Sequence, residues 1–231
     1  MPPIGTVQVV SNIERGPGSV VTNDFLTTVS NNFLKISKQY CDELGEFPFC
    51  FKEKQTQSIL ACAIQQTTST FLGEAPVVRR NLFDDDNSHG WVDFWASYRN
   101  TSYFIEVKHS FYSIKNENVP NQMTNKWKTA NDQLAKAKEE LAQNWSINAI
   151  KYLVSLMVIP FYSQLRDDDV EIQLPSDETL NNHNNLIFGS LQPNWSSFCI
   201  IHNAYAGPYE YTKTRELHPA LGIYAHAKSI S

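Results

Sequence analysis

Asp93, Glu106 and Lys108 are the residues whose types and spacing can do chemistry together. They sit in two segments rich in β-forming residues, Gly90-Trp91-Val92-Asp93-Phe94-Trp95 and Tyr103-Phe104-Ile105-Glu106-Val107-Lys108. Only Arg99-Asn100-Thr101-Ser102 separates the strands predicted over residues 91–98 and 103–109, which reads as a hairpin. With Arg99-Asn100 as a two-residue turn, paired positions sum to 199 and Asp93 faces Glu106. Cross-strand partners share a face, about 4.5–5.5 Å apart at Cβ. Lys108, two residues beyond Glu106, shares it too. Val92, Phe94, Ile105 and Val107 are then expected on the opposite face, in a core, and a slip of one residue would bury the charges instead.

Two carboxylates this close repel each other. A raised pKa on one of them relieves the repulsion, and so does a divalent cation between them. Mg²⁺ is commonly held by one or two carboxylates, with waters and a substrate phosphate completing its octahedron. A lysine beside it can stabilise charge developing on phosphorus or orient a water. The combination suits metal-assisted phosphodiester hydrolysis. An exposed strand Asp with an ordinary Glu–Lys surface pair is the competing reading.

The elements that must position this trio follow from periodicity. Asn23-Asp24 is expected to cap a helix beginning near Phe25, with Phe25, Val29, Phe33 and Ile36 at helical spacing and Gly45 after its end. A second helix is expected over residues 51–71, ended by Gly73, with Ile59, Leu60, Ala63 and Ile64 apolar. A strand over 76–83, the hairpin, a helix over 125–145 and a buried strand over 152–162 come next. Residues 163–195 read mainly as a loop-rich insertion, and residues 197–202 and 221–228 as further strands. Residues 6–10 read as a short strand or a loose arm. The plan is α/β (α+β), built on a mixed sheet. The 231 residues are read as a single domain, with a core near 51–162, a helical extension over 1–50 and β additions over 163–231.

The Val92-Asp93 pair and Ile105-Glu106-Val107-Lys108, with twelve residues between Asp93 and Glu106, set between those helices and strands, resemble the PD-(D/E)xK nuclease superfamily. The resemblance covers about residues 51–162. It implies a restriction-endonuclease-like fold, a mixed central sheet flanked by helices around an αβββαβ core. Trp91-Val92 stands where the family often has Pro before the first Asp. The resemblance implies a Mg²⁺-dependent DNA endonuclease, with Mn²⁺ as a substitute and a homodimer as an assembly. Asp93 and Glu106 would hold the metal, and Lys108 would assist the nucleophile. The family's further acid on its first core helix points to Glu53, with Glu74 as competitor and Gln57 one turn beyond Glu53. A first-turn acid favourable to its helix is the plainer account of Glu53. The family's QxxxY pattern is incomplete, because Gln133 is followed by Ala137 where Tyr would stand.

Charge bears on the nucleic-acid expectation. The net charge is −5, which alone argues against a nucleic-acid binder. The balance is uneven, however. Residues 109–151 hold six lysines against four acids, and residues 152–231 hold four basic against eight acidic residues. Lys115, Lys126, Lys128 and Arg79 are the candidate phosphate contacts, with Trp127 available to stack or to pack. A solvated helix face is the alternative for the lysines. A catalytically inactive binding or regulatory module on the same fold is the second functional reading, and a metal-dependent hydrolase of another substrate is the third.

Other chemistries find little support. Cys41, Cys50, Cys62 and Cys199 form no CxxC pair and read as reduced thiols rather than a zinc site or a disulfide scaffold. Asp84-Asp85-Asp86 and Asp167-Asp168-Asp169 lack EF-hand spacing and its Gly. No GxSxG motif is present. The first residues show no secretory signal, and no apolar run reaches the length of a membrane span, so a soluble cytoplasmic protein with no membrane partner is expected.

Overall fold

The computed structural model describes residues 3–80, 87–144, 149–165, 173–211 and 214–230. The elements run β1 (Gly5–Ser11), α1 (Ser19–Leu44), α2 (Glu53–Thr67), β2 (Thr70–Arg80), β3 (Asn87–Tyr98), β4 (Thr101–His109) and β5 (Tyr112–Ser113). They continue with α3 (Asn121–Asn144), β6 (Ile150–Leu165), α4 (Asp177–Leu191), β7 (Trp195–Ile201), β8 (Tyr209–Glu210) and β9 (Arg215–Ile230). The class is mixed α+β: among the described residues there are four α-helices and one nine-stranded sheet. Its order is β1-β7-β9-β6-β4-β3-β2, with β5 beside β6 and β8 beside β9. β4 and β6 are parallel and joined through α3, while β2, β3 and β4 are antiparallel neighbours.

The hairpin turn forms at the expected place. Arg99 (φ 44°) and Asn100 (φ 60°) are both left-handed, as a two-residue turn matching the strand twist requires. The register pairs Phe94 with Ile105 and Trp95 with Phe104, which is the sum of 199 read from the sequence.

Each face of the sheet is covered by helices. On one face Phe25, Val29 and Phe33 of α1 and Ile59, Leu60, Ala63 and Ile64 of α2 pack against Phe94, Ile105, Val107, Val154 and Leu156. On the other, Leu134, Ala137 and Leu141 of α3 cover Val77, Val92, Phe104 and Leu153. Trp127 of α3 joins Leu180, Ile187 and Leu191 of α4 around Met157, Ile159 and Tyr224. No helix of the described residues is long and apolar enough to cross a membrane.

The structure corrects several expectations. α1 begins at Ser19, preceded by left-handed Gly18, so Asn23 and Asp24 lie inside it. Asp24 instead accepts from the Tyr98 hydroxyl at 2.7 Å and lies 2.9 Å from the exposed Arg99 guanidinium. α2 stops at Thr67, because Thr68 donates its hydroxyl to the Ser97 carbonyl at 2.6 Å and draws the chain into the sheet. Phe71, Gly73 and Glu74 therefore lie in β2. The expected loop-rich insertion contains α4, whose Ser176 cap accepts from the Thr179 N–H at 3.2 Å, ahead of the first-turn acids Asp177 and Glu178. Its apolar spacing (Leu180, Ile187, Leu191) was hidden among asparagines. Residues 6–10 form an edge strand paired with β7 rather than a loose arm. Both aspartate triplets, 84–86 and 167–169, lie outside the described residues.

Candidate active site

The site stands where the β3–β4 ladder opens. Backbone pairing between these strands runs from the turn to Phe94↔Ile105. At the next position Asp93 takes over with its side chain: its Oδ2 accepts the Val107 N–H at 2.7 Å. On the other side of β3, pairing with β2 passes from Gly73↔Phe94 to Ala75↔Val92, and Glu74 between them is left-handed (φ 52°). The alternation breaks here. Phe94, Ile105 and Val107 face α1 and α2 as expected, but Val92 faces α3, which corrects its expected placement. A non-glycine residue at positive φ is strained, and such strain concentrates where a side chain must be re-aimed.

Burial sets the electrostatics. Glu106 is 3% exposed and β4 is buried along nearly its whole length. Its Oε1 accepts from Lys108 Nζ at 2.8 Å, an ion pair whose side chains are 4% and 16% exposed. Asp93 is half-buried. Its carboxyl is pushed up to about 6, first by burial, then by the Glu106 charge and, more weakly, by Glu53; the Val107 N–H and Lys108 pull it back. Asp93, Glu106, Lys108 and Glu53 therefore share one electrostatic neighbourhood, and it is short of positive charge.

Glu53 arrives from the other layer. As the first residue of α2, it accepts the His109 N–H through Oε2 at 3.2 Å. The His109 carbonyl in turn accepts from Lys126 Nζ at 2.7 Å. The His109 ring is buried, with Nε2 2.9 Å from the Phe49 carbonyl, so Nε2 donates. Burial lowers its pKa, which keeps it neutral. The His109 side chain is structural, but its backbone brackets Glu53 on one side and Lys126 on the other.

Not every expected residue gathers here. Glu74 is exposed and left-handed on β2, so Glu53 is the acid that meets the β4 end. Gln57 is half-buried on α2. Gln133 is half-buried on α3, and its Oε1 is buried with no hydrogen-bond partner among the described residues. Lys115 is exposed and donates to the Gln164 carbonyl at 3.0 Å. Lys128 is exposed on α3. Arg79 lies on β2, with its side chain outside the described residues. Trp127 packs rather than stacks: it is 7% exposed, and its indole N–H donates to the Leu191 carbonyl at 2.7 Å.

The donor set suits a hard cation. Among the described residues no three His, Cys, Asp or Glu side chains converge closely enough to enclose a metal. Two neighbouring carboxylates, one held above its ordinary pKa by burial and by the other's charge, fit an ion such as Mg²⁺ that keeps several waters and takes few protein ligands. Reasoning from the sequence alone missed the bracketing role of the His109 backbone, since no side-chain pattern reports where main-chain groups point. Lys126 appeared only as a phosphate contact; its position in the first turns after the β4 segment was the available signal. The chain matches no protein-family model, no curated protein and no solved structure.

Proposed function

We propose that this chain is a Mg²⁺-dependent nuclease, a DNA endonuclease on a restriction-endonuclease-like fold. The observation that carries the reading is the gathering of Asp93, Glu106 and Lys108 at one ladder opening, with Glu53 and Lys126 held by the residue that follows Lys108. The order α2-β2-β3-β4-α3-β6, with three antiparallel strands and then a strand parallel to β4, supports the fold assignment.

Asp93 and Glu106 would hold Mg²⁺, with Glu53 reaching it directly or through water. When bound, the ion polarises a phosphoryl oxygen and lowers the pKa of a coordinated water. Glu106 fixes the Lys108 ammonium, so a cation is ready beside a phosphate before the substrate arrives, which is the preorganisation that favours charge developing in a transition state. The Val107 N–H holds the Asp93 carboxylate in place and favours its ionised form. Lys126, Lys128 and Lys115 would supply backbone contacts that the overall acidic charge does not. A homodimer cutting both strands belongs to the same proposal, and sedimentation velocity tests it.

The inactive-module reading is favoured by one observation: Lys108 already gives Glu106 a counter-charge at 2.8 Å without a metal. Calorimetric titration with Mg²⁺ and Mn²⁺ separates the two. Saturable binding in wild type that is lost in Asp93→Ala supports the nuclease. Absence of binding at millimolar metal supports the module.

A further inference from the structure

Beside the site, a cavity of about 320 Å³ opens between the β5–β6 edge and the start of β9. Three aromatic rings wall it. Phe111 is 39% exposed and stands edge-on to Tyr162, with ring centroids 6.3 Å apart at 90°; Tyr211 forms another wall. The remaining lining is the Cys50 thiol and three polar residues, Gln164, Thr214 and Glu216. The Thr214 hydroxyl lies 3.2 Å from Glu216 Oε1. The Tyr211 hydroxyl oxygen is buried with no hydrogen-bond partner among the described residues. At the rim, Lys115 Nζ is tied to the Gln164 carbonyl at 3.0 Å and is otherwise exposed.

We infer that this cavity receives an unpaired nucleobase of the strand being cut, so that the substrate is single-stranded or locally unstacked nucleic acid; the inference rests on the nuclease reading for its substrate class. Four features fit that occupant. Planar rings at the mouth offer stacking surface to any base. The volume is at the low end for ligand pockets and is ample for one base. Glu216 is an acceptor when ionised and can take a hydrogen bond from a base amino group or ring N–H. The Lys115 ammonium at the rim suits the phosphate that must lie outside when the base is inside. Position fits as well. Phe111 follows Lys108 by three residues, a reach of at most about 10 Å along the chain. At about 3.4 Å per nucleotide in a stacked strand, the seated base lies within a few nucleotides of the phosphate at Lys108. Base stacking also answers the acidic net charge, because it adds affinity without requiring a broad basic surface.

The probe is a DNA oligonucleotide carrying one 2-aminopurine, single-stranded or annealed to its complement, titrated with protein in EDTA. The expected result is saturable quenching of the single strand, at least tenfold weaker with the duplex. Phe111→Leu is expected to weaken binding by about 5- to 100-fold. Glu216→Gln is expected to weaken binding of the single strand by replacing the charged acceptor. Equal quenching of both strand forms overturns the inference, and so does quenching untouched by both substitutions. The nuclease reading is scored separately, by Mg²⁺-dependent cleavage. Cleavage without quenching overturns the base pocket alone; quenching without cleavage overturns the nuclease reading and leaves the pocket.

Discussion

Replacing Asp93 with Asn should make the metal-free protein more stable while removing its proposed activity. In the fold, burial and the Glu106 charge raise the Asp93 carboxyl from 3.8 to about 6. The folded state therefore favours the protonated form. Its stability contribution is unfavourable at pH 8, where both folded and unfolded chains carry the charge, and vanishes once pH falls below about 4. Two pKa units correspond to about 3 kcal/mol; allowing for the exposed part of the side chain, about 2 kcal/mol is expected. The Asn oxygen can keep the Val107 N–H bond, so the substitution removes charge with little loss of geometry. Thermal melts in EDTA at pH 8 should show a rise of about 4–8 °C for a chain of this size. The gain should shrink steadily as pH falls from 6 toward 4. Below pH 6.5 the variant should also expose the opposing effect of His218, which burial holds neutral down to about 4 and which destabilises the fold as the unfolded chain takes up protons. Millimolar Mg²⁺ should stabilise wild type and not the variant. An Asn variant that melts at or below wild type at pH 8, with intact folding by circular dichroism, would refute the claim that the carboxylates are held in mutual repulsion.

Three further outcomes follow from the same geometry. Cleavage should fall about tenfold per unit as pH drops below an apparent midpoint at or under 6, and the midpoint should move lower as Mg²⁺ rises, because protonated Asp93 cannot ligate; rate–pH profiles at two metal concentrations check this. Lys108→Met leaves the buried Glu106 carboxylate without its ammonium and should cost about 3 kcal/mol at neutral pH by urea denaturation. Trp127→Ala should cost about 3–5 kcal/mol, as a buried indole bridging α3 to α4, whereas a solvent-exposed stacking residue would cost under 1 kcal/mol.

The hairpin was legible because strand alternation and turn length are local. Arg99-Asn100 sets the register as far as Phe94 and Ile105, and Asp93 and Glu106 follow where that ladder opens. Helix boundaries were less legible. The end of α2 is set by the Thr68 bond to Ser97, a partner 29 residues away that no local window contains. α4 was obscured by the run of asparagines within it, although Ser176 and the following acids signalled its start. The switch of Val92 to the α3 face could not be read from periodicity, since it accompanies the left-handed Glu74 on the neighbouring strand. The pairing of Glu53 and Lys126 through the His109 backbone was hidden for a different reason: it depends on where two helices dock on one strand end.

The most direct measurement is cleavage of supercoiled plasmid by purified wild type, Asp93→Ala and Lys108→Ala, each with Mg²⁺ and with EDTA. The proposed function predicts nicked or linear product from wild type with Mg²⁺ alone. Equal products from all three proteins, or none from wild type across Mg²⁺ and Mn²⁺, would contradict it.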